Sequence, residues 1–430
     1  MVWFLPLMFC VLLGVPVAFA LGMVGFIGLI DTLNYTAACS QIKTILFGAT
    51  NSYALSCVPM FILMGELSFQ AGISTDLFKA ANKWVGRLPG GLAIATNFAC
   101  AVFGACSGST IASASVFTKI ALPEMLEKGY DKRLSTGAIA SAGALACMIP
   151  PSILMVIYGL ITSQPINKLL VAGSVPGFMT AVAYGTGIYL AAKLLPHLVP
   201  PLTEEKISWA DKFKSLTGVL PIAFLFLLVM GGLFLGWFTS TAAGAIGSAG
   251  ALLVLILRKR FTWRVFFQTL EQTGILSCSL LIIITFGNLF SFVLSSSGGI
   301  DTFVSFITGL DMSPVAVLML IISLYLMIGC MVDPVSMLII TLPAVMPVAE
   351  AIGYDPIWFG IIVITMLEVG VITPPVGMNA YTVKAVAGDS VTTGQIFSGI
   401  SYFLFLQAIV LAIIIAFPSI VTYLPDLMMD

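Results

Sequence analysis

The sequence predicts an all-α polytopic membrane protein built from two halves of opposite orientation. Three observations carry that expectation: charge-free apolar runs, a repeat that pairs one half of the chain with the other, and a lopsided placement of Lys and Arg. Hydrophobic residues fill 59% of the 430 positions and charged residues only 9%, with mean hydropathy +1.10. A water-soluble domain carries about 25% charged residues. No globular packing hides this much apolar surface, so lipid is the solvent for most of it. Runs such as 218–235 and 403–417 hold no charge and approach or form the ~20-residue stretch of a spanning helix. Strands of an outer-membrane barrel would alternate over ~10 residues, which these runs do not. A net charge of −1 gives no reason to expect a nucleic-acid partner. Eight scattered cysteines without a Cys-x-x-Cys pair indicate neither a zinc site nor a disulfide framework. The apolar N-terminus lacks a basic leading segment and reads as a first span rather than a signal peptide.

The repeat organises the chain. Met148-Ile149-Pro150-Pro151 has its counterpart in Ile372-Thr373-Pro374-Pro375 at an offset of 224. At that offset Cys106 meets Cys330, Pro123 meets Pro347, and Gly129-Tyr130-Asp131 meets Gly353-Tyr354-Asp355. Upstream, Gly14, Gly22, Gly25 and Gly28 match Gly236, Gly244, Gly247 and Gly250 at 222, and Leu55-Ser56-Cys57 matches Leu276-Ser277-Cys278 at 221. Basic residues cluster at 79–87, 128–133, 193–214 and 258–264, whereas 301–355 has none. By the positive-inside rule, the loops around 90–125 face the cytoplasm and those around 313–350 face outward. The halves are therefore expected as an inverted-topology repeat, a frequent build of secondary transporters.

Residues 1–200 form the first repeat, with a re-entrant helical hairpin at 90–125 and a broken helix at 134–161. Residues 201–217 form a cytoplasmic linker. Residues 218–430 form the second repeat, with a hairpin at 313–350 and a broken helix at 357–382. Gly14 aligns with a turn, so 2–14 and 17–32 are expected as two short spans, 31–43 and 258–272 as interfacial arms. The tally is ten spans plus two hairpins, with both termini outside.

Non-helical backbone at membrane depth must be buried in protein or line a wet cavity. Four interruptions meet that description: the hairpin turns at 105–110 and 329–334, and the breaks at Pro150-Pro151 and Pro374-Pro375. A double proline removes two donors and frees carbonyls in the preceding turn. Freed carbonyls and hydroxyls are hard oxygen donors suited to Na⁺, and helix N-termini favour an anion. Two cation sites are expected. One uses Ser107, Ser109 and carbonyls near Met148 and Pro150; the other uses Gly329, Val332, Thr373 and carbonyls near Gly370. A carboxylate substrate is expected between them, near Thr110, Ser152, Asp333 and Asn379. Asp333 fits two roles, an intramembrane ligand or an N-cap before Pro334. Glu66 and Glu368, near or within spans, are functional candidates by default with structural pairing as the other reading, and Lys119 reads as a snorkelling lysine. His197 is the only histidine, which disfavours a Ser–His enzyme and histidine-ligated metal.

These motifs are recognisable. Phe103-Gly104-Ala105-Cys106-Ser107-Gly108-Ser109, Pro123-Glu124-Met125 and Ile149-Pro150-Pro151-Ser152 resemble the large membrane (M) subunit, DctM-like, of tripartite ATP-independent periplasmic (TRAP) transporters. So do Met331-Val332-Asp333-Pro334, Gly353-Tyr354-Asp355-Pro356 and Glu368-Val369-Gly370-Val371-Ile372-Thr373-Pro374-Pro375. The likeness covers essentially the whole chain. It implies an elevator-type carrier of the ion transporter superfamily in a bacterial inner membrane, driven by at least two Na⁺ ions. It further implies a four-helix small membrane subunit (Q type), a periplasmic substrate-binding protein (P type), and a small organic acid such as a C4-dicarboxylate or sialic acid as substrate. The alternative is a self-sufficient Na⁺-coupled organic-anion symporter without a binding protein.

Overall fold

The computed structural model describes residues 3–200, 208–310 and 312–427, and all regular structure among them is helical. Helices α1 (Phe4–Leu12) and α2 (Val17–Thr32) part at Gly14, whose φ of 81° suits only glycine, and at Pro16, which enters α2 without a donor to lose. At nine residues α1 is about 14 Å long, too short to cross the ~30 Å hydrocarbon layer alone. The expected first span is therefore a half-length helix packed against α2.

Next come α3 (Tyr35–Thr50), a 3₁₀ turn, α4 (Cys57–Gln70) and α5 (Ile73–Val85). Helices α6 (Gly91–Ser107) and α7 (Thr110–Glu127) form a hairpin around the two-residue turn Gly108-Ser109. Helix α8 (Lys132–Ala144) starts on Asp131, whose carboxylate accepts from the Arg133 and Leu134 amides, and stops short of Pro150-Pro151; α9 (Ile153–Thr162) resumes after it. The long α10 (Ile166–Leu194) closes the first half.

Residues 201–207 of the expected linker lie outside the described residues. Its remainder folds as α11 (Trp209–Ser215), pinned to α5 where the Trp84 indole donates to the Lys212 carbonyl at 3.2 Å. Helix α12 (Leu220–Phe226) passes through a π-turn into α13 (Gly232–Phe234), followed by α14 (Ser240–Leu257) and α15 (Trp263–Ser296). Here the structure departs from the expected arm at 258–272. In the first half Asn51-Ser52 separates α3 from α4; the matching residues, Gln272-Thr273, continue α15 unbroken for 34 residues, about 51 Å. Asn and Ser compete for backbone hydrogen bonds and favour turns, while Gln sits well in a helix.

The second half continues with α16 (Gly299–Thr308), the hairpin α17 (Pro314–Gly329) and α18 (Pro334–Ala351), and α19 (Pro356–Ile372). After Pro374-Pro375 come α20 (Met378–Ala387), α21 (Thr393–Ala416) and α22 (Ser419–Asp426). Both Pro–Pro bonds are cis. Six helices among the described residues have the length and apolarity of a span, or seven if the pair bent by 49° at residue 219 counts as one. The remaining expected spans fall on shorter helices such as α2 and α19.

Packing mixes the halves. Helix α14 lies along α4, and α15 along α2 and α4; in a second group α21 lies along α8 and α20 along α7. Each group thus draws on both repeats, and the groups meet where α4 and α5 touch α6 and where α15 touches α18.

Candidate functional site

The first hairpin turns because Gly108 adopts φ 59°, open to glycine without strain, and because Ser109 caps α7 by accepting the Ala112 amide at 3.3 Å. Ser107 Oγ lies 2.9 Å from Ser113 Oγ and accepts the Ser109 amide at 3.4 Å. Helix α4 crosses this tip closely: a Cβ on Gly65 would stand 2.8 Å from the Ser107 Cα. The second tip is wider. Asp333 caps α18 by accepting the Ser336 amide on Oδ1 at 3.0 Å, and Cys330 accepts the Val376 amide at 3.3 Å. A Cβ on Gly370 of α19 would stand 2.8 Å from the Gly329 Cα, so tip and broken helix meet backbone to backbone.

The breaks sit under these tips. Thr373 Oγ1 donates to the Val369 carbonyl at 2.6 Å, which leaves its lone pairs as acceptors. Ser152 Oγ donates to the Cys147 carbonyl and accepts the Met155 amide, capping α9. The Met148 carbonyl faces α10, 2.7 Å from where a Cβ on Gly173 would stand, while the Pro151 carbonyl lies beside Gly108. The carbonyls expected near the first tip are those of Met148 and Pro150; the break oxygen found beside Gly108 is instead that of Pro151.

A cavity of about 440 Å³ opens between the two tips, α4 and α15. Ser107, Ser109, Thr110 and Asp333 line it together, as do Glu66 on α4, Lys119 on α7 and Ser279 on α15. Ser152 and Asn379 do not. Ser152 is fully buried in its cap, and Asn379, also fully buried, donates to the Ala140 carbonyl at 3.0 Å, with no partner for its Oδ1 among the described residues. Met378 lines the cavity in place of Asn379. Glu368 is 2% exposed; its Oε2 accepts from Gln407 at 3.1 Å, and Gln407 accepts from the Tyr184 hydroxyl at 2.9 Å. The lining residues absent from the sequence-based site, Glu66 and Lys119, carried one signal: each is a charge inside an apolar run.

Residues 4–420 match the family model of the tripartite ATP-independent periplasmic transporter, DctM component. The chain belongs to this family. It is 33% identical over 344 residues to the C4-dicarboxylate TRAP transporter large permease of Pseudomonas aeruginosa, covering 80% of each chain. It is 32% identical to the ectoine/5-hydroxyectoine TRAP large permease of Ruegeria pomeroyi, over 99% of this chain and 98% of that one. Its fold is shared with the YdaH transporter of Alcanivorax borkumensis, with a TM-score of 0.63 at 16% identity over 90% of each chain. As a TRAP large permease it is a multi-pass transport subunit, and its family implies a small membrane subunit and a periplasmic binding protein as partners.

Proposed function

We propose that this TRAP large permease imports a carboxylate, delivered by its periplasmic binding protein, using the Na⁺ gradient. The observation that carries the reading is the convergence of both hairpin tips on one cavity, each tip seated on the Pro–Pro break of its own half. The proposed donors suit Na⁺ better than a softer metal: the Ser107 and Ser109 hydroxyls in the cavity, and, beside the tips and breaks, the Thr373 hydroxyl and carbonyls near Pro150, Gly329, Val332 and Gly370. Two ions would bind, one per tip. The substrate would lie above them against Thr110 and Asp333, at the start of α7 and α18, where backbone amides favour an anion.

The hairpins act as re-entrant elements of an inverted repeat, and their packing group slides against the α2, α4, α14 and α15 group in an elevator motion. The small Q-type subunit, of four helices, braces the stationary group in the inner membrane, with both chain termini on the periplasmic side. The expected test result is carboxylate uptake into proteoliposomes that requires both membrane subunits, the binding protein and an inward Na⁺ gradient. Uptake that persists without the binding protein would support a self-sufficient symporter instead; flux indifferent to the Na⁺ gradient would refute coupling.

A further inference from the structure

The charges lining the cavity say more about what it carries. Among the described residues the lining holds two carboxylates, Glu66 and Asp333, and one ammonium, Lys119. Asp333 is partly committed to capping α18. Lys119 makes no hydrogen bond or ion pair with any described residue, and the ion pairs that form, such as Arg258 with Asp76, lie elsewhere. Ile111, Ser115 and Lys119 recur at every fourth position of α7, and all three line the cavity. Lys119 therefore borders the cavity while remaining exposed, which places it on the cavity's open side. It lies nine residues beyond Thr110, about 14 Å along the helix. Helical side chains lean back toward the N-terminus, so its ammonium is directed toward the tip rather than away from it.

We propose that Lys119 binds the carboxylate of the transported solute, and that the cavity selects a solute with one carboxylate and a neutral or cationic remainder over a dicarboxylate. The inference rests on the carrier reading above. An unpaired ammonium on the open side of a cavity of low polarity is a ready partner for one carboxylate. A dicarboxylate would bring a second negative group toward two acids already present, with no further cation in the lining to meet it. With the two proposed Na⁺ ions bound, the two acids and one lysine leave a single positive charge, which one carboxylate neutralises.

The test is calorimetric binding to the purified complex of both membrane subunits in saturating Na⁺. The probes are ectoine and N-acetylneuraminate, each with one carboxylate, and succinate, with two. The wild type is expected to bind one of the first two about tenfold or more tighter than succinate. Lys119→Met should weaken that binding about tenfold while keeping the thermal stabilisation by Na⁺, and Lys119→Arg should restore it to within about threefold. Glu66→Gln should narrow the gap to succinate. Unchanged affinity in Lys119→Met, or tighter binding of succinate by the wild type, would overturn the inference and leave the carrier reading standing. A wild-type complex that binds none of the three in Na⁺ would overturn both.

Discussion

At the first break Pro150, Pro151 and Ser152 are buried, whereas at the second Pro374, Pro375 and Val376 are exposed, although the two segments align residue for residue in the repeat. The second helix after each break, α10 in the first half and α21 in the second, supplies the cause. On α10, Gly173 and Gly177 leave room for the backbone of Met148 and Ile149 to press in. Gly173 aligns at the same offset of 224 with Phe397 on α21, whose ring stands against Gly377 and fills that room. The first break is sealed into the interior and caps its outgoing helix with a buried serine. The second resumes through Gly377 at φ 51°, without a side-chain cap, and its tip is tied to it by the Cys330–Val376 bond. Equivalent motifs thus make one buried break and one exposed break.

The largest expected effect comes from erasing that difference. Gly173→Leu would drive a side chain into the Met148 carbonyl and the Met155 thioether, at a cost of about 3 kcal/mol or more. It should leave little monodisperse protein in detergent, whereas Phe397→Leu should be well tolerated. A stable, active Gly173→Leu variant would mean that the sealing does not matter. The native cysteines offer the next contrast. Cys330 and Cys106 occupy matching places at the two tips, the first partly exposed and the second buried. Peptide mapping after brief maleimide treatment should show Cys330 modified on the order of tenfold faster. Equal rates would break the comparison outright.

Smaller shifts sharpen it. Ser107→Ala and Thr373→Ala should each raise the Na⁺ concentration for half-maximal uptake about fivefold, the loss of one oxygen donor. A shift in only one variant would assign coupling to a single tip. The smallest effect concerns Asp333. Asp333→Asn keeps an oxygen for the Ser336 amide, so it should retain most of the cap, while Asp333→Ala should lose about 1 kcal/mol of stability, read as a lower melting temperature. If both variants melt alike but transport differently, the carboxylate serves the solute and not the helix.

Both tips and both breaks were legible in the sequence because their residues act through local backbone chemistry. Gly108 turns where few other residues can, Ser109 and Asp333 cap, and consecutive prolines end α8 and α19 whatever surrounds them. The composition of the cavity wall was less legible. Thr110 and Asp333 line it as expected, but Ser152 and Asn379 point into the interior, while Glu66, left open between two roles, and Lys119, read as snorkelling, border the cavity. In a water-soluble helix a polar face announces itself by period. In a membrane helix lipid and protein interior are equally apolar, so the pattern does not say which face is which.

The sequence by itself determined that the chain lives in lipid, that it is doubled, where its helices are interrupted, and which family it belongs to. Each of these follows from composition, from repetition, or from residues with one local use. Only the tertiary structure decided that the two repeats interleave into mixed packing groups, that one Pro–Pro break is sealed by a glycine and the other held open by a phenylalanine, and that a lone lysine borders the cavity. Those depend on how closely two helices cross and how each is rotated about its axis. Both are set by contacts between segments far apart in the chain, which no local pattern records.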